Sequence, residues 1–332
     1  MTLERSLVVR TYNGATDAEA IAELVNSSRL KTTERASVSA EQVVSFMEEA
    51  SIDPKSDVHL FFDGESLVAY ERTRRETWSN DTRVYHVAPF IHANWRRAKV
   101  IAEIIEHMLE YHLEFARTDK DGERPFLAII PGPTDFTRID ALVAAGFELC
   151  HSFLSMARPL EQIVELQKLP LGLEMRPLER AHYRAVYEFD RRIMKDHWGV
   201  EVATQEHFQW WAEEAFLNPE LWRVAWHGDT IVGTAAGIVG GTWNPSLGNA
   251  TAEIRFVRVA PDWRRSGVAS ALIRQCLNAL YGQGIRTVVL DVDSENEKTA
   301  AALYQSLGFE IRSRMHAYCY NLTAALQSPK GS

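Results

Sequence analysis

The sequence is poor in cysteine and has no long apolar run. Its 3 cysteines, Cys150, Cys276 and Cys319, lack the paired spacing of a disulfide framework or a zinc site. We therefore expect no metal site and a reducing compartment, the cytoplasm. No run approaches the roughly 18 apolar residues of a membrane span, and the N-terminal segment lacks the apolar core of a signal peptide. We expect no membrane association.

Positive charge is also scarce. The 332 residues carry 36 basic and 45 acidic side chains, for a formal net charge of −9. This balance argues against a nucleic-acid partner. Hydrophobic residues make up 46% and charged residues 24%, as in globular proteins, and the length suffices for two domains.

The chain repeats itself, because four landmarks recur in the same order at nearly constant spacing. The matched pairs are Leu7 with Leu173, Gly64 with Gly228, Trp95 with Trp263, and Gly146 with Gly308. Such self-similarity indicates two copies of one folding unit. We predict a first domain over 1–158 and a second over 171–322. The connection between them, 159–170, has a proline at each end.

Local patterns in the second copy predict an α+β unit. Apolar spacing and turn residues predict helices over 181–195, 205–216, 267–281 and 299–307, with Thr204 as an N-cap. Strands are predicted over 173–177, 221–226, 230–239, 252–259 and 286–292, with one or two closing strands over 309–321. Each copy should be a mixed, mostly antiparallel twisted sheet flanked by helices.

The most specific segment is Arg264-x-x-Gly267-x-Ala269, between a predicted strand and a predicted helix. A helix start presents backbone N–H groups without partners and a partial positive charge, and so accepts a diphosphate. Gly267 and Ala269 leave room for phosphate oxygens, and Arg264 and Arg265 add charge-assisted contacts. The alternative is an ordinary strand-turn-helix with solvated arginines.

This segment is preceded by Val259-x-Pro261 and followed by Asn296 and Leu303-Tyr304-x-x-Leu307-Gly308-Phe309. With these motifs, residues 170–322 resemble the GNAT superfamily of N-acetyltransferases. The resemblance implies a sheet splayed open at its fourth strand, pantetheine in that opening, and direct acyl transfer from acetyl-CoA. The tandem arrangement resembles the mycothiol synthase group, whose C-terminal copy is active. The expected coenzyme-binding residues are Val257, Val259, Arg264, Arg265, Ser266, Gly267, Val268, Ala269, Ser270 and Asn296.

Amine acylation needs a base for the attacking amine and an acid for the leaving thiolate. By its place in the resemblance, Tyr304 is the acid; the alternative is a core tyrosine on an amphipathic helix. Glu253 is the base, since mycothiol synthase-like sequences carry a glutamate at that distance from the proline; the alternative is an exposed strand carboxylate. Asn296 contacts pantetheine or caps the following helix.

The first copy lacks these residues when it is aligned without gaps. Its counterparts of Gly267, Ala269, Glu253, Tyr304 and Asn296 are Lys99, Ile101, Tyr85, Leu142 and Thr134. We expect a degenerate copy that supports the active one, although Arg96, Arg97 and Lys99 still offer charge to an anion.

The sequence thus predicts an acetyl-CoA-dependent N-acetyltransferase that acts on a small-molecule amine through its C-terminal domain. A second hypothesis is a non-catalytic acyl-CoA binding or sensing protein. It would keep Arg264 and Gly267 but use Tyr304 only for packing. The oligomeric state and the identity of the amine are not predicted.

Overall fold

The computed structural model describes residues 7–28, 37–47, 52–195, 197–239, 250–293 and 300–327. The chain forms two compact units. The first unit comprises Met1–Ser152 together with Met315–Ser332, and the second comprises Phe153–Arg314.

Both units combine strands and helices. The strands are β1 (Val8–Thr11), β2 (Val58–Asp63), β3 (Ser66–Thr77), β4 (Thr82–Ile91), β5 (Glu123–Ile129), β6 (Glu148–Pro159), β7 (Glu174–Arg176), β8 (Trp222–His227), β9 (Thr230–Ile238), β10 (Thr251–Val259), β11 (Thr287–Asp293) and β12 (Glu310–Asn321). The helices are α1 (Ala15–Ser28), α2 (Ala40–Met47), α3 (Pro54–Asp57), α4 (Ala98–Thr118), α5 (Phe136–Ala144), α6 (Tyr183–Met194), α7 (Gln205–Ala215), α8 (Val268–Gly282), α9 (Ala302–Ser306) and α10 (Leu322–Gln327).

The two units have corresponding sheets. Strand order is β1-β2-β3-β4-β5-β12 in the first unit and β7-β8-β9-β10-β11-β6 in the second. Neighbouring strands are antiparallel except for the parallel pairs β4–β5 and β10–β11. Each sheet is therefore mixed and mostly antiparallel, as the sequence predicted.

The closing strand of each unit comes from the other half of the sequence. Residues 318–321 of β12 pair with β5, whereas residues 153–159 of β6 pair with β11. The compact units consequently differ from the sequence-derived ranges 1–158 and 171–322. The difference arises because strand pairing, and not position in the repeat, decides which sheet a closing strand completes.

Segment 159–170 is not a free linker. Leu160 is fully buried, and its N–H donates to the carbonyl of Arg286 at 2.8 Å. Further on, the N–H of Val164 donates to Oδ1 of Asn278 at 2.6 Å, and Nδ2 of Asn278 donates to the Val164 carbonyl at 2.8 Å. The segment therefore runs along α8, inside the second unit.

Two apolar layers enclose the sheet of the second unit. One lies under α8 and α9 and includes Leu272, Leu277 and Phe309; the other lies under α6 and α7. Helix α8 packs so closely on β9 that a Cβ atom on Gly233 would lie 2.7 Å from Cγ1 of Val268. This glycine therefore lets the start of α8 come down onto the sheet beside the end of β10.

Most predicted elements of the second copy are confirmed to within one or two residues. The Thr204 cap is confirmed, since Oγ1 accepts the N–H of His207 at 2.9 Å. The closing segment is a single strand, and the helix predicted over 299–307 is α-helical over Ala302–Ser306. None of the helices in the described ranges has the length and apolarity needed to cross a bilayer.

The expectation of no disulfide is wrong. Cys150 and Cys319, both in the first unit, are joined, with Cα atoms 5.8 Å apart, although 169 positions separate them in the chain. Spacing arguments compare cysteines that are near in sequence, so they could not detect a pair brought together by strand pairing. The inference from cysteine spacing to a reducing compartment therefore loses its basis. Cys276 is free and buried in the core.

Candidate active site

The parallel strands β10 and β11 pair only at their beginnings. Thr251–Glu253 match Thr287–Val289, after which β10 continues with β9 to Val259 while β11 continues with β6 to Asp293. The backbone of β10 beyond Glu253 thus faces an opening in the sheet instead of a neighbouring strand. An opening of this kind leaves room for an extended ligand beside β10.

A bulge marks the same stretch of β10. The register with β9 shifts between Arg255 and Arg258, and Phe256 has φ +53°. Tertiary contacts fix this unusual backbone, since the Phe256 ring stacks on Trp222 with centroids 5.0 Å apart and its carbonyl accepts the Thr234 hydroxyl at 2.7 Å. The bulge changes the direction of the side chains that follow it. The side chains of Val257 and Val259 are half-buried against the α8 layer.

Gly267 occupies the N-cap position of helix α8, with φ +92°, and no side chain caps the helix there. The helical bonds begin where the Ala271 N–H donates to the Gly267 carbonyl at 3.0 Å. The amides of Val268, Ala269 and Ser270 therefore have no intrahelical acceptor, and the helix dipole adds positive potential there. Val268 is 1% exposed, so it can offer a ligand only its amide.

The polar residues of this turn are solvent-exposed. Arg264, Arg265 and Ser266 all lie at the surface. Arg264 turns back to donate from Nε to the Val259 carbonyl at 3.3 Å, and the Ser266 hydroxyl donates to the Trp263 carbonyl at 2.6 Å. The two guanidinium groups thus flank a helix start that already favours anions.

The structure adds a residue that the sequence did not point to, Gln167. Its Oε1 accepts the Ser270 hydroxyl at 2.7 Å, and its Nε2 donates to the Gly267 carbonyl at 3.4 Å. A Cβ atom on Gly267 would lie 2.5 Å from that Nε2. Gln167 is 100 positions from Gly267 on a segment interpreted as a linker, so no local signal could have found it.

Two further arginines lie near this helix. Arg274, one turn after Ser270, donates from Nη1 to the Glu165 carbonyl at 3.0 Å. Arg158 on β6 donates to the Leu307 carbonyl, and burial, with a contribution from the Arg274 charge, lowers its pKa. This pair of like charges would be stabilised by an anion.

Tyr304 lies on α9 with 8% of its surface exposed. Burial raises the pKa of its hydroxyl to about 12, against an opposing effect of the Arg258 charge. The group therefore stays protonated near neutral pH, the state that a proton donor needs. The helix end is held by Gly308 at φ +84° and by the Phe309 N–H, which donates to the Tyr304 carbonyl at 3.0 Å.

Glu253 is the last residue of β10 that pairs with β11, so it lies where the two strands begin to separate. It is 5% exposed and accepts a hydrogen bond from Nε of Arg255 at 2.7 Å. It is therefore not the exposed strand carboxylate of the alternative interpretation. On the same strand, Arg258 donates from Nε to the buried Asp190 of α6 at 2.8 Å, a pair that the sequence analysis missed. Asn296 lies outside the described residues.

The first unit lacks the phosphate-binding turn, but not in the way that the gap-free alignment predicted. Helix α4 begins at Ala98, three positions after Trp95, whereas α8 begins at Val268, five positions after Trp263. The N-cap of α4 is Arg97 with φ −107°, so no left-handed glycine opens it. The assignments of Lys99 and Ile101 to Gly267 and Ala269 are wrong, because the shorter turn shifts the helix register by two residues.

Of the other projected positions, Leu142 takes the place of Tyr304. Leu142 is fully buried, and its carbonyl accepts the Phe147 N–H at 3.0 Å, the same end-of-helix bond that Tyr304 makes. Tyr85 does not correspond to Glu253, because Tyr85 is buried in the apolar core under α4, whereas Ala252 and Ile254, not Glu253, point into the matching core under α8. The Tyr85 hydroxyl donates to Oδ2 of Asp119 at 2.8 Å. Burial raises the pKa of Tyr85, so it cannot serve as a base.

Comparison with known proteins agrees with this geometry. Residues 183–309 match the model of the acetyltransferase (GNAT) family. A mycothiol acetyltransferase from Thermobifida fusca (strain YX) is 29% identical over 160 residues. That match covers 45% of this chain and 45% of the relative, so the chain aligns with less than half of the relative's length.

Solved structures confirm the fold. A GCN5-related N-acetyltransferase from Sphaerobacter thermophilus has a TM-score of 0.76 at 21% identity, covering 97% of each chain. A tandem GNAT protein from the clavulanic acid biosynthesis pathway has a TM-score of 0.67 at 15% identity, covering 98% of this chain and 100% of that one. The predicted fold, two GNAT-like units in tandem, is therefore confirmed.

Proposed function

We propose, from the premise that residues 183–309 form a GNAT acetyltransferase domain, that this chain transfers the acetyl group of acetyl-CoA to the amine of a small molecule, with its active site in the second unit. The observation that carries the proposal is the helix start at Gly267, which lies directly after the strand that opens at Glu253. The two features together provide a diphosphate site and an adjoining channel for an extended thioester arm.

The turn fits the pyrophosphate of the coenzyme. Phosphate oxygens approach to about 2.7–3.2 Å of the donating nitrogens, and such an approach needs a residue without a side chain at the helix start. Gly267 satisfies this requirement, and the neighbouring amides are the donors. Arg264, Arg265 and the more distant pair Arg158 and Arg274 supply positive charge to a strongly anionic ligand.

The side chains at the opening suit the two proton transfers. The carboxylate of Glu253 takes a proton from the acceptor ammonium, directly or through water, and the freed amine attacks the thioester carbonyl carbon. The C–S bond breaks as the amide forms, and the departing thiolate takes the proton of the Tyr304 hydroxyl. The second proton lost by the attacking nitrogen passes through water and restores that hydroxyl. The elevated pKa of Tyr304 keeps that proton in place until the sulfur carries charge.

The α6 and α7 face of the sheet is the proposed approach for the amine. Ala252 and Ile254 point into the α8 layer, so the alternating residue Glu253 points to the opposite face. Two aromatic rings of this unit, Phe153 and Trp198, pack edge to face with centroids 5.7 Å apart. Aromatic rings and a buried carboxylate on this face would suit a small cationic acceptor.

A thiol-release assay with acetyl-CoA and a panel of small amines tests the proposal, with reactions lacking amine as the control for hydrolysis. Amine-dependent thiol release, together with acetylated product in the mass spectrum, is the expected result. Tight acetyl-CoA binding by calorimetry, with no amine-dependent release, would instead identify a non-catalytic acyl-CoA binding protein.

A further inference from the structure

Three potential metal ligands converge in the first unit, away from the transferase site. His59 on β2 and Glu71 on β3 are direct cross-strand partners, and His107 lies on α4 above them. Nδ1 of His59 is 3.0 Å from Oε1 of Glu71. One ligand atom from each of the three side chains lies within 4.8 Å of the other two.

The cluster contains buried polar atoms that nothing in the described structure satisfies. Glu71 is 0% exposed and His59 is 4% exposed. Oε2 of Glu71 and Nε2 of His107 have no hydrogen-bond partner among the described residues. A buried carboxylate with an orphaned oxygen is costly unless a cation or a donor compensates it. The single hydrogen bond from His59 accounts for only one of the two oxygens.

The neighbouring side chains do not supply the missing donor. Tyr111 packs its ring against His59 with centroids 4.3 Å apart, but its hydroxyl donates to the Ser56 carbonyl at 2.6 Å. The ring of Phe61 packs edge to face against His107 at 5.2 Å. The two orphaned atoms therefore lie in aromatic surroundings, and a group that satisfies them must enter between the ligands.

We propose that His59, Glu71 and His107 bind a divalent zinc-like cation. Two imidazole nitrogens and one carboxylate oxygen are ligands that zinc prefers, at about 2.0–2.2 Å each. Tetrahedral ligand atoms lie about 3.3 Å apart at such bond lengths, so the present separations need only small side-chain rotations. The ligands stand on two paired strands and a long helix, which hold them in a fixed arrangement.

An acidic cavity gives the cation a way in and an open coordination position. The cavity, about 160 Å³ in volume, is lined by His107 together with Leu7, Val9, Phe61, Glu103, Glu106 and Glu110. Carboxylates at the mouth of a cleft concentrate cations there. Glu110 lies three residues after His107 on the same helix face, so either its carboxylate or a water molecule can complete the coordination.

A bound ion would tie β2, β3 and α4 together within the first unit. This role differs from acetyl transfer, because none of the three residues belongs to the proposed transferase site. The sequence analysis expected no metal because it considered cysteine spacing alone. The ligands here are histidines and a glutamate on separate elements, which only the packing of α4 on the sheet brings together.

The test uses the full chain, stripped with a chelator and dialysed. Zinc and cobalt(II) titrations by calorimetry should show one site per chain, and cobalt should give the visible absorption of a low-symmetry His- and carboxylate-bound ion. Zinc should also raise the midpoint of thermal unfolding, since it binds the folded state. No binding of either ion to the wild-type chain would overturn the proposal.

Three variants locate the site. Glu71→Gln preserves shape but removes the charged ligand, and His107→Ala removes the half-buried imidazole. Each should weaken zinc binding by more than the about 10–100-fold that loss of an outer-shell partner costs. His227→Ala removes an exposed histidine of the second unit and should bind as wild type. Wild-type affinity in folded Glu71→Gln would overturn the assignment even if His107→Ala fails to fold.

Discussion

Adding one methyl group at Gly267 should separate coenzyme binding from folding. Gly267→Ala places a Cβ atom at a residue with φ +92° and 2.5 Å from Nε2 of Gln167. A left-handed backbone costs an L-residue about 1–2 kcal/mol, and the end of the Gln167 side chain must move as well. We expect the added methyl group and the displaced Gln167 amide to obstruct the proposed phosphate site, where losing one charge-assisted hydrogen bond costs about 1.5–3 kcal/mol. We therefore expect acetyl-CoA affinity to fall by about 10- to 100-fold.

A matched control lies at the other end of the same helix. Gly284 also has a positive φ, +84°, but a Cβ atom there would meet nothing within 4 Å. Gly284→Ala should share the backbone strain, lowering the unfolding midpoint by about 2–4 °C for each kcal/mol, without affecting coenzyme affinity. Thermal unfolding and calorimetry with acetyl-CoA measure the two quantities. Unchanged affinity in folded Gly267→Ala, or equal losses in both variants, would refute the phosphate-site assignment.

Three further outcomes are expected. Tyr304→Phe should leave acetyl-CoA affinity nearly unchanged but lower kcat by about 10²–10⁴-fold. The loss should be equal across the neutral pH range, because the pKa of the hydroxyl is about 12. Normal turnover would show that Tyr304 only packs the core. Glu253→Gln should lower kcat/KM by about 10²–10⁴-fold while leaving acetyl-CoA affinity nearly unchanged, and normal turnover would assign the base elsewhere. Equilibrium dialysis should count one tight acetyl-CoA site per chain. The reason is that the turn before α4 is two residues shorter than the turn before α8 and has Arg97 at the N-cap position. Two equivalent sites would contradict this asymmetry.

Much of the second unit could be predicted from its sequence because the signals are local. Thr204 caps α7, and Gly308 ends α9 in the left-handed conformation that its position in the sequence suggested. Gly267 before an apolar helical pattern likewise indicated an open helix start, and the structure has its N-cap there. In each case the physical cause lies within a few residues along the chain, in backbone sterics or a single hydrogen bond.

The alignment of the first copy shows where local reasoning reaches its limit. Leu142 matches Tyr304 because both helices end in the same glycine-terminated turn. Lys99 and Ile101 do not match Gly267 and Ala269, because the turn before α4 has lost two residues. A single sequence without gaps does not reveal such a deletion when the flanking tryptophans still align.

Only the tertiary structure determines which residues that are far apart in the chain come into contact. Sequence predicted β12 as a strand, but not which sheet it completes, because a strand edge accepts any backbone of the right register. The pairing of Cys150 with Cys319, the placement of Gln167 over Gly267, and the convergence of His59, Glu71 and His107 have the same origin. Backbone propensity acts over a few residues, whereas these contacts depend on packing free energy summed over the folded unit, which no local pattern contains.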